Sequence, residues 1–322
     1  MRIDLLAKRY GGPGGGPDGM AVAVAYLAWT LCELGHDVRG YVGAAGPPPW
    51  THPRIEWVVR SPLYQPDGFD ADLVISTISP AWRRTSIAAD VAGARSRLFY
   101  WCHHGEPPPG QGCRLLALKA EDAAIARGYA SHLLLTPSSW PADRGGQRTG
   151  DAILVPGASR AKGGPVALAV AREVVDVPWY VLPGRSAAPD VAPWRALGRA
   201  EVAPGPVPTE KFLSRARAVL CPTRVECYGG LTLVEAATHG IPVICSDLPA
   251  TRAALGDVAT YLPAMAPTSE WAAALRDALD APPRRLKLPP YREVVAAALV
   301  EMQRLAGPAP IVVARARPSL PP

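Results

Sequence analysis

Residues 223–247 read TRVECYGGLTLVEAATHGIPVICSD. Ahead of them Ala218–Cys221 forms an apolar strand-like run, and a turn carrying Gly229 and Gly230 follows. Gly230–His239 then reads as a helix that stops at Gly240, and Pro242–Cys245 as another strand. This is a strand–helix–strand unit of the kind that builds parallel sheets. The helix opening near Gly230 offers unpaired N–H groups and a partial positive charge, which suits a diphosphate. Glu235 stands about one and a half turns inside that helix, where a carboxylate can accept both hydroxyls of a ribose. Glu226 sits on the preceding loop, within reach of a sugar. Two carboxylates flanking an anion-binding helix start suit a nucleotide-sugar better than a bare nucleotide.

The same alternation extends in both directions. Upstream, Ile3–Ala7, Val38–Val42, Leu73–Ile75, Leu98–Cys102 and Leu133–Thr136 read as strands. Helices are expected at Met20–Leu34, closed by Gly35, at Arg114–Ala130, and after Ser139. A polar stretch, Ala142–Gly150, reads as a linker, after which the pattern restarts. Strands are expected at Ile153–Val155, Trp179–Leu182 and Ala218–Cys221, and helices at Pro165–Val174 and Thr209–Arg217. No sequence repeat is visible, but the supersecondary logic appears twice. The fold class is therefore α/β, two Rossmann-like domains facing a cleft. The expected division is residues 1–148 for the first domain, 149–288 for the second, and a Pro-rich tail at 307–322. A helical stripe of Val294, Val295, Ala298, Leu299, Met302 and Leu305 places a helix at 290–306 that packs back on the first domain.

Composition narrows the function. The chain has 322 residues, 48% hydrophobic and 19% charged, a balance that excludes a disordered chain. No apolar run is long enough for a transmembrane helix, and the N-terminus enters a strand at once rather than a signal peptide. The net charge of +6 comes from scattered basic residues, mostly Arg, with no patch of the kind that binds nucleic acid. Cys32, Cys102, Cys113, Cys221, Cys227 and Cys245 follow neither metal-ligand nor disulfide spacing, and read as reduced thiols of a cytoplasmic protein.

Three local patterns need weighing. Residues 14–19, GGGPDG, satisfy G-x-G-x-x-G, but no carboxylate ends the following strand to hold a dinucleotide's ribose. An NAD oxidoreductase is accordingly the weakest reading, and a Gly-rich loop meeting a helix N-terminus the better one. Cys102-His103-His104-Gly105-Glu106 closes a strand, where neighbouring side chains point to opposite faces, so these residues do not chelate one metal. His36 and His239, beside strand boundaries, read as structural. Ser138 and Ser139 read as a helix N-cap.

The 223–247 segment resembles the signature of retaining GT-B glycosyltransferases of the family 4 or group 1 type, with their E-x7-E pattern. Glu226-Cys227-Tyr228-Gly229 resembles its opening, Glu235-Ala236-Ala237 its second acid, and Gly240-Ile241-Pro242-Val243-Ile244 the turn and strand that follow. Here the two acids stand nine positions apart rather than eight, and Gly229-Gly230 is read as holding the extra residue. Ala161-Lys162-Gly163 resembles the family's G-R-x-x-x-x-K-G loop, with Gly157 in place of its Arg and Arg160 as the substitute cation. Leu182-Pro183-Gly184 stands where the family has a V-G-x-G turn, and Val207-Pro208 resembles its base-contacting segment. Gly19 matches the second glycine of the family's G-G pair, with Asp18 replacing the first. The N-G-V-D linker pattern is absent.

The resemblance implies a sugar transferred from a nucleotide diphosphate donor to an acceptor hydroxyl with retention, without cofactor or metal. It implies a donor site of Gly19, Gly157, Arg160, Gly184, Val207, Tyr228, Gly229, Gly230, Leu231, Thr232 and Glu235. Lys162 and Glu226 join it as catalytic groups, with His103 or His104 contacting the donor sugar. The chain lacks a long basic amphipathic helix in its first half, which points to a small-molecule acceptor. Two other readings stay open: an epimerase or hydrolase of nucleotide-sugars on the same fold, and a nucleotide-binding homologue that has lost catalysis.

Overall fold

Along Ala152–Val155 successive side chains point to opposite faces, as in any strand, yet all four are buried. A strand apolar on both sides needs cover on both sides, which dictates a parallel sheet between layers of helices. In the computed structural model of the chain the described residues are 1–6, 19–42, 52–59, 71–76, 98–101, 114–117, 131–134, 150–183, 188–204, 209–225 and 231–306.

The strands of the first sheet are β1 (Arg2–Leu6), β2 (Asp37–Val42), β3 (Glu56–Val59), β4 (Leu73–Ser76), β5 (Leu98–Trp101), β6 (Arg114–Ala117) and β7 (Ser131–Leu134). All pair in parallel, in the order β3-β2-β1-β4-β5-β6-β7. Helix α1 (Gly19–Glu33) leads from the β1 side to β2, and Gly35 closes it at φ 88°. Ile3 and Leu5 of β1 face Leu27, Ala28 and Leu31 of α1, while Asp4 between them points to the opposite face. There Asp4, fully buried, accepts two hydrogen bonds from Arg39 of the neighbouring strand at 3.0 and 2.8 Å.

The second sheet consists of β8 (Ala152–Val155), β9 (Trp179–Val181), β10 (Ala200–Val202), β11 (Ala216–Cys221), β12 (Val243–Ser246) and β13 (Thr260–Leu262). It is again all parallel, in the order β10-β9-β8-β11-β12-β13. Alternate residues feed two separate cores. Leu154, Val219, Val243 and Cys245 pack with α4 (Thr209–Leu213), α5 (Leu231–Thr238) and α6 (Pro249–Leu255) on one face. Ile153, Val155, Leu220 and Ile244 pack on the other with α2 (Gly164–Glu173), α3 (Ala188–Arg195) and α7 (Thr268–Asp280). The chain is thus α/β with two doubly wound, Rossmann-like sheets. Each reverses its winding beside its first strand, between β1 and β4 and between β8 and β11, and such reversals open a crevice at the carboxyl ends of the strands.

Helix α8 (Tyr291–Ala306) closes the chain's described part. Its Val295, Ala298, Leu299 and Met302 are buried in the same cluster as Ile3, Leu31 and Leu73, so the stripe read at 290–306 lies on the first sheet's core.

Two expectations are corrected. Arg114–Ala117 begins no helix. It is β6, hydrogen-bonded between β5 and β7. Its leucine- and alanine-rich composition favours a helix locally, and pairing on both edges overrides that preference. The helix expected at Thr209–Arg217 ends at Leu213, because Ala216 already pairs with Ala152 in β11. The strands that the sequence reading passed over, β3, β10 and β13, all lie at sheet edges, where one flank stays unpaired and burial is thinner. The linker at 142–149, the helix after Ser139 and the tail at 307–322 lie outside the described residues.

Leu299, 4% exposed, joins α8 to the first core. Leu299→Ala is expected to lower stability by about 2–5 kcal/mol through the cavity it leaves. Chemical denaturation followed by tryptophan fluorescence checks this; a variant as stable as the parent would mean that α8 contributes little to that core.

Candidate functional site

The second sheet's winding reverses where Val155 ends β8 and Cys221 ends β11, and the two loops leaving those strands run into each other. The first loop turns tightly: Gly163 and Gly164 donate to Arg160 and Ser159 carbonyls at 3.1 and 2.9 Å. Gly163 adopts φ 76°, the left-handed region, and a Cβ there would lie 1.9 Å from the carbonyl oxygen of Pro222. Only glycine fits at this crossing, for conformation and for space together.

Polar contacts complete the clasp. The amide of Arg224 donates to the carbonyl of Ala161 at 3.0 Å. Thr223, fully buried, has its hydroxyl 3.3 Å from the carbonyls of both Ala161 and Val225, and it accepts the Val225 amide at 3.4 Å. The two loops therefore hold each other in register across the crevice.

Charge gathers around that clasp. A hollow of about 220 Å³ is lined by Arg160, Gly163, Pro165, Val166 and Arg224. Lys162 lies beside it on the same turn. Its Cβ and Cγ pass 2.9 Å from where a Cβ on Gly157 would stand, so the bare Gly157 makes room for the lysine stem. None of Arg160, Lys162 and Arg224 has a carboxylate partner among the described residues. Three cations share one small region. Among the described residues no group of three His, Cys, Asp or Glu side chains could hold a metal ion.

Helices on opposite faces begin at this edge of the sheet. Helix α2 opens after Gly163 with no side-chain cap on its first amides and Pro165 in its first turn. Helix α5 opens at Leu231 and Thr232, both half-buried, and Glu235 lies in its body, 7% exposed. His239 closes that helix: its Nδ1 is 2.8 Å from the Glu235 carbonyl, the structural role the sequence reading gave it.

Of the residues expected at the site, the fold brings Gly157, Arg160 and Lys162 onto one turn and sets Leu231, Thr232 and Glu235 on α5, the helix that follows β11. Gly19 is the first residue of α1, on the chain's other sheet. His103, His104, Gly184, Val207, Glu226, Tyr228, Gly229 and Gly230 lie outside the described residues, as do residues 14–18 and Ser138-Ser139. Arg224 was quoted in the deciding segment but given no part, and Thr223 likewise. The available signal was their position just past the end of β11, facing the lysine-bearing loop in any doubly wound sheet with this strand order.

No protein-family model matches this sequence, and no curated protein matches it either. Solved structures do match. Sucrose-phosphate synthase from Thermosynechococcus elongatus superposes with a TM-score of 0.63 at 15% identity, over 94% of this chain and 96% of that one. AviGT4, a glycosyltransferase involved in avilamycin A biosynthesis, gives 0.63 at 21% identity, over 95% and 98%. HepE of Anabaena, in complex with UDP and glucose, gives 0.63 at 14% identity, over 95% and 94%. The fold is GT-B. The likeness covers nearly the full length of these chains, so it embraces both sheets and α8.

The clasp carries a stability prediction with its own control. Gly163 and Gly198 have nearly the same backbone, φ 76° and 74°, but a Cβ at Gly198 meets nothing within 4 Å. Gly198→Ala is expected to cost about 1 kcal/mol from backbone strain alone. Gly163→Ala is expected to cost about 2–4 kcal/mol, because it must also part the two loops. Thermal unfolding of the two variants side by side decides it; equal losses would mean that the loops are not clasped.

Proposed function

We propose that this protein transfers a sugar from a nucleotide diphosphate sugar to the hydroxyl of a small-molecule acceptor, with retention of configuration at the anomeric carbon. The observation that carries the proposal is the clasped pair of loops at the second sheet's reversal, bearing cations with no carboxylate partner among the described residues and followed by a helix with a buried carboxylate. The GT-B fold, shared with glycosyltransferases and with a chain holding UDP and glucose, supports it.

In this reading the diphosphate lies along the loop after β8 and the start of α5. Lys162 and the first amides of α5, around Gly230, Leu231 and Thr232, carry the charge that develops as it leaves. Gly157 lets the lysine stem lie flat beside the phosphates. Glu235 accepts the two ribose hydroxyls. Glu226, with Tyr228 and Gly229 beside it, orients the donor sugar, Gly184 and Val207 border the base, and Gly19 closes the site from the first domain. His103 or His104 contacts the sugar from the same side.

The chemistry needs no cofactor and no metal from the protein in this reading. The bond from the anomeric carbon to the diphosphate oxygen breaks, and its electron pair leaves with the diphosphate. The acceptor oxygen forms the new bond on the same face, and its proton passes to the departing phosphate oxygen. The chain's task is to position both partners, stabilise the leaving anion and exclude water. No helix among the described residues is long and apolar enough to cross a membrane, and we place the enzyme in the cytoplasm.

A thermal-shift screen of UDP, GDP, ADP and TDP sugars identifies the donor, since specific binding raises the unfolding midpoint by mass action. Donor incubated without acceptor, and then with an acceptor panel, separates transfer from isomerisation or hydrolysis. With the donor known, Lys162→Ala is expected to lower kcat about a hundredfold or more, as for loss of other groups that stabilise a developing anion. Glu235→Gln is expected to raise the donor KM about tenfold while kcat falls less. Undiminished transfer by Lys162→Ala would defeat the mechanism.

A further inference from the structure

We propose that Arg285 is a positioning residue for the sugar ring of the donor nucleotide. It holds the carboxyl end of α5, and through that helix it holds Glu235. The inference rests on the reading that Glu235 accepts the two ribose hydroxyls. It adds a support at the end of the helix that lies away from the diphosphate.

Helix α5 has only eight residues, so Glu235 stands within one turn of its end. The last four carbonyls of a helix find no partner inside it. In α5 these belong to Glu235, Ala236, Ala237 and Thr238, and every one of them is bonded. The Glu235 carbonyl accepts the Thr238 hydroxyl at 2.8 Å and lies 2.8 Å from Nδ1 of His239. The Ala236 carbonyl accepts the amides of His239 and Ile241 at 3.1 and 3.0 Å. The Ala237 and Thr238 carbonyls draw on a segment almost fifty residues away. There the Leu286 amide donates to Ala237 at 2.9 Å, and Nε of Arg285 donates to Thr238 at 2.6 Å.

That segment, residues 281–289, forms neither helix nor strand, yet it is fixed along its length. Leu286 and Leu288 pack against the core that contains Leu233, Val234 and Ala237 of α5. Arg284 pairs with Asp257 at 3.2 Å. Just beyond, Tyr291 opens α8 and packs against the first sheet's core. A strap fastened to both cores presents Arg285 from a settled backbone. Its guanidinium also brings positive charge to the negative end of the α5 dipole. A helix of two turns moves as one piece, so a support lost at Thr238 shifts Glu235 against the loops after β8 and β11.

Titration calorimetry on the full chain with UDP, GDP, ADP and TDP finds the base. The 2′,3′-dideoxy form of the diphosphate that binds then isolates the hydroxyl contacts. Arg285→Ala is expected to weaken the hydroxylated form about three- to tenfold and to leave the dideoxy form nearly untouched. Arg285→Lys, which keeps a charged donor, is expected to recover part of the loss. In a Glu235→Gln background Arg285→Ala is expected to add little, because both changes act on one contact. Unchanged binding of the hydroxylated form by Arg285→Ala overturns the positioning role and leaves the donor reading standing. Equal losses for the two forms also overturn it, because they mark a general loosening of the fold. A parent chain that binds none of the four diphosphates overturns the donor reading and the positioning role together. So does a Glu235→Gln variant that keeps the full preference for the hydroxylated form.

Discussion

The contact between Gly163 and the carbonyl of Pro222 sets the geometry of everything around it. Without a Cβ, the turn after β8 can approach the backbone after β11 closely enough for Arg224 and Thr223 to bond Ala161. Those bonds hold two loops that belong to different strands as one rigid surface. The parts that position the charges are neutral: glycines, a buried threonine and main-chain amides.

The sheet beneath explains why the loops meet there. In β8, β11 and β12 alternate apolar residues enter two separate cores, one under α4, α5 and α6 and one under α2, α3 and α7. A sheet covered on both faces leaves its edges and strand ends as the places open to a ligand. The reversal between β8 and β11 is the place where successive helices leave in opposite directions, which opens a crevice at the strand ends. Burial on the faces and access at the reversal are thus two consequences of one topology. The first sheet repeats the arrangement between β1 and β4, with Gly19 opening α1 after β1.

Reading the chain residue by residue recovered most of the central strands and the helices α1, α2, α5 and α8, whose residues carry dense, regular apolar patterns, but passed over α3, α6 and α7. Edge strands β3, β10 and β13 escaped, since an edge needs less apolar surface. Residues 114–117 misled for a related reason: a short Arg-Leu-Leu-Ala run has no periodicity long enough to separate helix from strand, and its neighbours β5 and β7 decide. Among the candidate site residues, Arg160 and Lys162 were singled out from a recognisable loop and Glu235 from its place in a helix. Arg224 and Thr223 were not, because their importance comes from what stands opposite them, and residue 161 is 62 positions away from Thr223.

Local patterns in the chain were enough to read a two-sheet α/β protein with a glycine-framed, lysine-bearing turn and an acid on the helix after β11. Periodicity, helix stops and glycine placement are local properties, written in residues a few positions apart. The folded chain adds that the bare Gly157 makes room for the stem of Lys162, and that Arg160 and Arg224 border one hollow. The first depends on how one tight turn folds back on itself, and the second on parallel pairing that brings residues 160 and 224 together from distant parts of the chain.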